Sequence, residues 1–89
     1  MSADAASKIA NELESFIRES FQVPDGDELF TREVNLWEEG YVDSIGIVET
    51  LGWIEQTWRV RLPEEVVFDP RFTHIAGMAL VIQERLEAR

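Results

Sequence analysis

The chain has no cysteine, which excludes a disulfide framework, a thiolate metal site and a cysteine nucleophile. Its single histidine, His74, stands near a helix start, where histidine usually packs or faces water, and supports no credible Ser/His/Asp arrangement. Basic side chains are few, 8 against 18 acidic ones, for a net charge of −10. Such a surface repels phosphate backbones and anionic lipid heads and favours basic protein partners. No apolar run reaches the roughly 20 residues that cross a bilayer. The opening "MSADAASKIANE" lacks the basic start and apolar block of a secretory signal. A calcium loop read from Asp25 fails, because Leu29 and Phe30 occupy a ligand and the glycine position and Leu36 replaces the terminal carboxylate. These absences fit a cytoplasmic protein, for which neither nucleic acid nor membrane is expected as partner.

The 89 residues make one domain, 1–89, with 45% hydrophobic and 10% aromatic residues to fill a small core. In "ASKIANELESFIRES", Ile9, Leu13, Phe16 and Ile17 form one stripe, which predicts a helix over 3–20 ended by Pro24 and "PDGDE". Residues 21 to 43 hold neither period. Leu29, Phe30, Val34, Leu36, Trp37 and Tyr41 are expected to anchor this long loop across the helix ends, with room for a helical turn around 26–32. From Ser44 the helical period returns in Ile47, Leu51, Ile54 and Trp58, with Asp43 as N-cap and "RVRLP" as the close. Asp69-Pro70 reads as a cap and a first helical position, so "DPRF" is a short turn. Thr73 is expected to cap a last helix whose inward stripe is Ile75, Ala79, Ile82 and Leu86. No segment makes a convincing strand. The order predicts an all-α bundle of three main helices and one short one.

"GYVDSIGIVETL", residues 40 to 51, then poses a question about Ser44. At about 100° per residue it lies in the first turn, beside the core stripe but outside it. Free amides and the helix dipole favour negative charge there, so a phosphodiester on Ser44 would be welcome. The alternative is a solvated serine whose hydroxyl competes with Asp43 for capping. Trp53 faces away from the stripe, and either anchors a partner beside Glu49 and Gln56 or folds over the long loop as core. Gly46 and Gly52 each cost the helix about 1 kcal/mol relative to alanine. Close approach by a partner or a cofactor arm accounts for them, and so does simple tolerance.

"LWEEGYVDSIGIVETL" resembles the attachment site of acyl and peptidyl carrier proteins, free-standing type. The acidity, the long first loop, "RLPEE" and "FTHIAGMALVI" extend the likeness over nearly the whole chain. The resemblance implies that Ser44 carries 4′-phosphopantetheine, transferred from coenzyme A by a phosphopantetheinyl transferase that recognises Asp43. Acyl or aminoacyl groups would ride on it as thioesters between a loading enzyme and a downstream synthase or transferase. The chain itself would be a monomeric carrier and no enzyme. Ile45 and Val48 become the expected general contacts, Gly52 a point of close approach, and Glu64, Glu65 and Asp69 acidic contacts. Gly40 stands one residue further from Asp43 than in common fatty-acid carriers, Gly46 replaces a usual acid, and Thr50 a usual apolar residue. These departures point to a specialised biosynthetic pathway. The rival reading is a non-carrier helical adaptor.

Overall fold

A computed structural model describes residues 3–88. Three helices carry the fold: α1, Ala3–Ser20; α2, Ser44–Trp58; and α3, Ile75–Ala88. Two 3-10 turns, Glu64–Phe68 and Pro70–Thr73, stand between α2 and α3, and no strand occurs among the described residues. The architecture is all-α; the short turn expected at "DPRF" is the second of these, and the first, Glu64–Phe68, is an addition to the expected order. Proline disfavours helical backbone in the residue before it, and Asp69 is extended at φ −69°, ψ 126°. Asp69 therefore ends the first turn and caps the second, its Oδ1 accepting from the Arg71 amide at 2.9 Å.

The stripe of α1 is buried as predicted at Ile9, Leu13 and Ile17, with Phe16 half-buried at its edge. The helix stops before Pro24 is reached. Gln22 takes a left-handed φ of 54°, and the Val23 amide donates back to the Arg18 carbonyl at 3.0 Å, the six-to-one bond of a Schellman ending. α3 packs directly against α1 on one side and the second 3-10 turn on the other. It therefore buries Met78 and Val81 as well as Ile75, Ala79 and Ile82, more than a single stripe. The approach to the 3-10 turn requires Gly77, where an added Cβ would stand 2.0 Å from the Arg71 carbonyl oxygen.

The loop 21–43 holds the helix ends together. Val23, Phe30, Leu36 and Val42 are buried, and Val34, Trp37 and Tyr41 pack on the core. Leu29 departs from expectation: it is exposed, at the crest of successive reverse turns that stand where a helical turn was considered. Those turns are closed by Asp27 and Phe30 amides donating to the Pro24 and Asp27 carbonyls. Tyr41 donates its hydroxyl to Asp27 Oδ2 at 2.8 Å. Burial and this acidic neighbour push its phenol up to about 12.

The start of α3 corrects the assignment of Thr73 as cap. The Thr73 hydroxyl turns back and donates to the Pro70 carbonyl at 2.8 Å. A carbonyl from far along the chain serves the helix instead: Arg32 O accepts from the Ala76 amide at 2.9 Å, and Leu36 N donates to Thr73 O at 2.8 Å. Arg32 also bonds Glu14 of α1 through Nε at 2.9 Å. The loop thus ties α1 to the start of α3 and leaves the N-terminus of α2 at its own exit.

Candidate functional site

α2 begins at Ser44 because Asp43 supplies the first acceptor. Its backbone is extended, at φ −100°, ψ −175°, and its Oδ1 accepts from the Gly46 amide at 2.7 Å. The capping competition foreseen for this pair is settled in favour of the aspartate. Ser44 is exposed, and no hydrogen bond among the described residues uses its hydroxyl. The first turn of α2 contains no carboxylate, so amides there still meet solvent at the positive end of the dipole. The result is a primary alcohol that is accessible, unengaged and placed where an attached anion is stabilised.

A groove of about 350 Å³ opens beside Ser44. Ile47, Val48 and Leu51 of α2 form one wall, Val67, Phe68 and Glu64 of the first 3-10 turn the other, with Trp37 at the loop end. Val48 is 65% exposed and Phe68 83%, so the groove has apolar lips that the core does not need. Ile45, also exposed, stands next to Ser44 outside this lining. Of the residues expected at the site, the structure brings Val48 and Glu64 to Ser44. Glu65 is exposed on the same 3-10 turn without lining the groove. Asp69 is not available as an acidic contact. It is half-buried, bonded to the Arg71 amide and guanidinium, and the latter bond above all holds its carboxyl below the usual range.

The glycines of α2 separate into two cases. Gly46 is buried, and an added Cβ would meet the Phe21 ring edge at 2.7 Å. The close approach foreseen there is made by the chain's own loop aromatic. Gly52 has open space above it. Thr50 is wholly buried and donates its hydroxyl to the Gly46 carbonyl at 2.8 Å, which satisfies a polar group where an apolar one was expected.

Trp53, Glu49 and Gln56 lie round α2 from the groove. Glu49 and Gln56 are exposed. Trp53 is half-buried over α1, stacked on Phe16 with centroids 4.3 Å apart and planes at 12°. Trp58 meets it edge-on at 5.3 Å. Periodicity did not reveal Phe68, Val67 or Trp37 as groove residues. The available signal was "EEVVF", which holds more apolar side chains than a five-residue 3-10 turn can bury at three residues per turn.

No family model and no solved structure matches the chain. Two curated relatives do. The anthracycline acyl carrier protein DpsG of Streptomyces peucetius is 32% identical over 77 residues, covering 86% of this chain and 89% of the relative. The anthracycline acyl carrier protein DauA of Streptomyces sp. (strain C5) matches with the same identity and coverage.

Proposed function

The chain belongs to the acyl carrier protein family, and from that premise we propose that Ser44 is the attachment point for 4′-phosphopantetheine. The observation that carries this reading is the unengaged, exposed Ser44 hydroxyl on the first turn of α2, released from capping by Asp43. When bound, the arm supplies the thiol that the cysteine-free chain lacks, so that acyl or aminoacyl groups are held as thioesters. The protein's own part is to present the hydroxyl, to stabilise the phosphodiester with the amides of the α2 N-terminus, and to receive apolar atoms in the adjoining groove. No catalysis is asked of it, in keeping with the carrier role of its family. A separate phosphopantetheinyl transferase in the cytoplasm, drawing on coenzyme A, would meet Asp43, Ser44, Ile45 and Val48. Loading and downstream synthase or transferase enzymes would use the same exposed apolar residues, with Glu64 and Glu65 adding charge. Both relatives are named for anthracyclines, which supports service in a specialised biosynthetic pathway.

Incubating the protein with coenzyme A and a broad-specificity transferase tests the attachment. Intact mass should rise by one phosphopantetheinyl group, and the Ser44→Ala variant, which keeps the exposed Ser7, Ser15 and Ser20, should gain nothing. A gain in that variant, or none in the folded wild type, overturns the assignment.

A further inference from the structure

A second depression lies between α1 and α2, with Phe16 and Trp53 as its floor. Trp53 is nine residues beyond Ser44, half-way round the helix at about 100° per residue, so this face points away from the attachment site. Asn11, Glu12, Ser15 and Glu19 form the α1 rim of the depression, whose volume is about 350 Å³. Both glutamates are exposed, and neither takes part in an ion pair among the described residues. The arginines closest along α1 and the loop are engaged by groups other than these two glutamates: Arg18 and Arg32 both bind Glu14, and Arg32 also bonds Asn11 at the rim. Lys8 is one turn before Glu12 and forms no ion pair with a carboxylate among the described residues, in the weaker lysine-first order for that spacing.

We propose that this depression receives an arginine side chain of a partner protein. Its methylene stem would lie on the aromatic floor and its guanidinium between the carboxylates of Glu12 and Glu19. The chemistry follows from what surrounds the floor. An uncharged apolar group would desolvate two unpaired carboxylates for nothing in return, whereas a cation neutralises both on a chain of net charge −10. Seven residues along a helix set the two α-carbons about 10 Å apart, a gap spanned by two extended glutamates and one planar guanidinium. Lysine offers a single compact charge, while arginine presents donors on several edges together. Trp53 is then the seat for a partner's side chain, because its own ring is already held against Phe16.

The three tryptophans give three indole N–H resonances, and Trp53→Phe identifies the relevant one. An acetylated, amidated Ala-Arg-Ala peptide should move that resonance saturably, and the lysine and citrulline analogues should bind more weakly. The Glu12→Gln, Glu19→Gln double variant should keep its melting temperature and bind the arginine peptide about five-fold more weakly. Ser44→Ala should bind as wild type does, so that failure here and failure of the attachment site are separate results. The proposal is overturned by equal binding of citrulline or lysine, by shifts as large around Val48 as at Trp53, or by no saturable shift. Movement of the Trp53 resonance with protein concentration alone would overturn it too, by showing a second copy as the occupant.

Discussion

Two aspartates do the same job on the two sides of α2, and only one leaves the chain open to chemistry. Asp43 caps α2 through the Gly46 amide, and Asp69 caps the second 3-10 turn through the Arg71 amide. After Asp43 comes an exposed serine; after Asp69 comes a proline, with Arg71 bonding the same carboxylate and reaching Glu84 at 2.7 Å. Two phenylalanines repeat the contrast: Phe72 is fully buried and Phe68 is 83% exposed, four residues away. The Asp69 end is closed by packing and ion pairs, while the Ser44 end keeps an unengaged hydroxyl beside apolar surface. Function is sought where folding leaves such groups unused.

The largest effects should come from breaking the closed end. Phe72→Ala removes an aromatic ring from the centre of the core and should cost about 4 kcal/mol. For a domain of this size that lowers the melting temperature by about 15–30 °C in a thermal scan. Gly77→Ala should cost about 2–3 kcal/mol, because its Cβ meets the Arg71 backbone and α3 must move away. Gly46→Ala provides the matched control at the open end. Its Cβ meets the rim of the Phe21 side chain, which can swing aside, so the loss should be well below that of Gly77→Ala.

Next in size is the cap itself. Asp43→Ala leaves the Gly46 amide without its acceptor and should cost about 1 kcal/mol of stability. Asp43→Asn keeps a side-chain oxygen and should recover most of that loss in denaturant unfolding. If Asp43 also serves the transferase by its charge, Asn will still slow modification of Ser44. Equal rates for Asp43→Asn and wild type would confine the aspartate to capping.

How much of this was legible in the sequence depended on how locally each feature is determined. The stripes Ile9-Leu13-Ile17 and Ile47-Leu51-Ile54 repeat within one helix, and both are buried where the period placed them. Asp43 and Asp69 reach amides two or three residues away, so their capping was readable too. Thr73 misled because the acceptor for α3 comes from Arg32, more than forty residues upstream of Ala76. Gly46 misled for the same reason, since the ring that excludes a side chain there belongs to Phe21. Ser44 was recognised by its neighbours in sequence, but Val67 and Phe68 join its groove only through tertiary folding. Long-range closure, rather than any weakness of the helical period, separates the readable residues from the hidden ones.

Smaller shifts should appear on acidification, and they belong to the closed parts. The Arg32 side-chain bond, helped by Arg18, holds Glu14 below its ordinary value of 4.5 despite an opposing desolvation. The unfolded chain therefore binds the extra proton first as pH falls. The stability from Glu14 is complete above about pH 4.5 and is lost as pH drops toward the lower folded-state value. Glu14→Gln lacks that contribution at every pH. Its deficit relative to wild type should be constant near neutrality and shrink below pH 4.5. Both ion pairs meet water, so each is worth less than about 1 kcal/mol. A deficit that grows on acidification would reverse the sign argued here.

The smallest effect on folding should come from Phe68→Ala, and that is why it is informative. A ring this exposed has almost nothing to lose, so the change should stay within about 0.5 kcal/mol. Paired with Phe72→Ala, it measures the contrast directly: one aromatic residue supports the fold, and its neighbour is free for another use. If the groove receives the arm or its acyl group, loading wild type should shift the methyl resonances of Val48 and Val67, which line it with Phe68. Phe68→Ala should reduce those shifts while leaving the apo spectrum elsewhere unchanged. Unaltered shifts on loading would leave Phe68 as exposed apolar surface with no part in holding the arm. The open end would then consist of Ser44 and its cap alone.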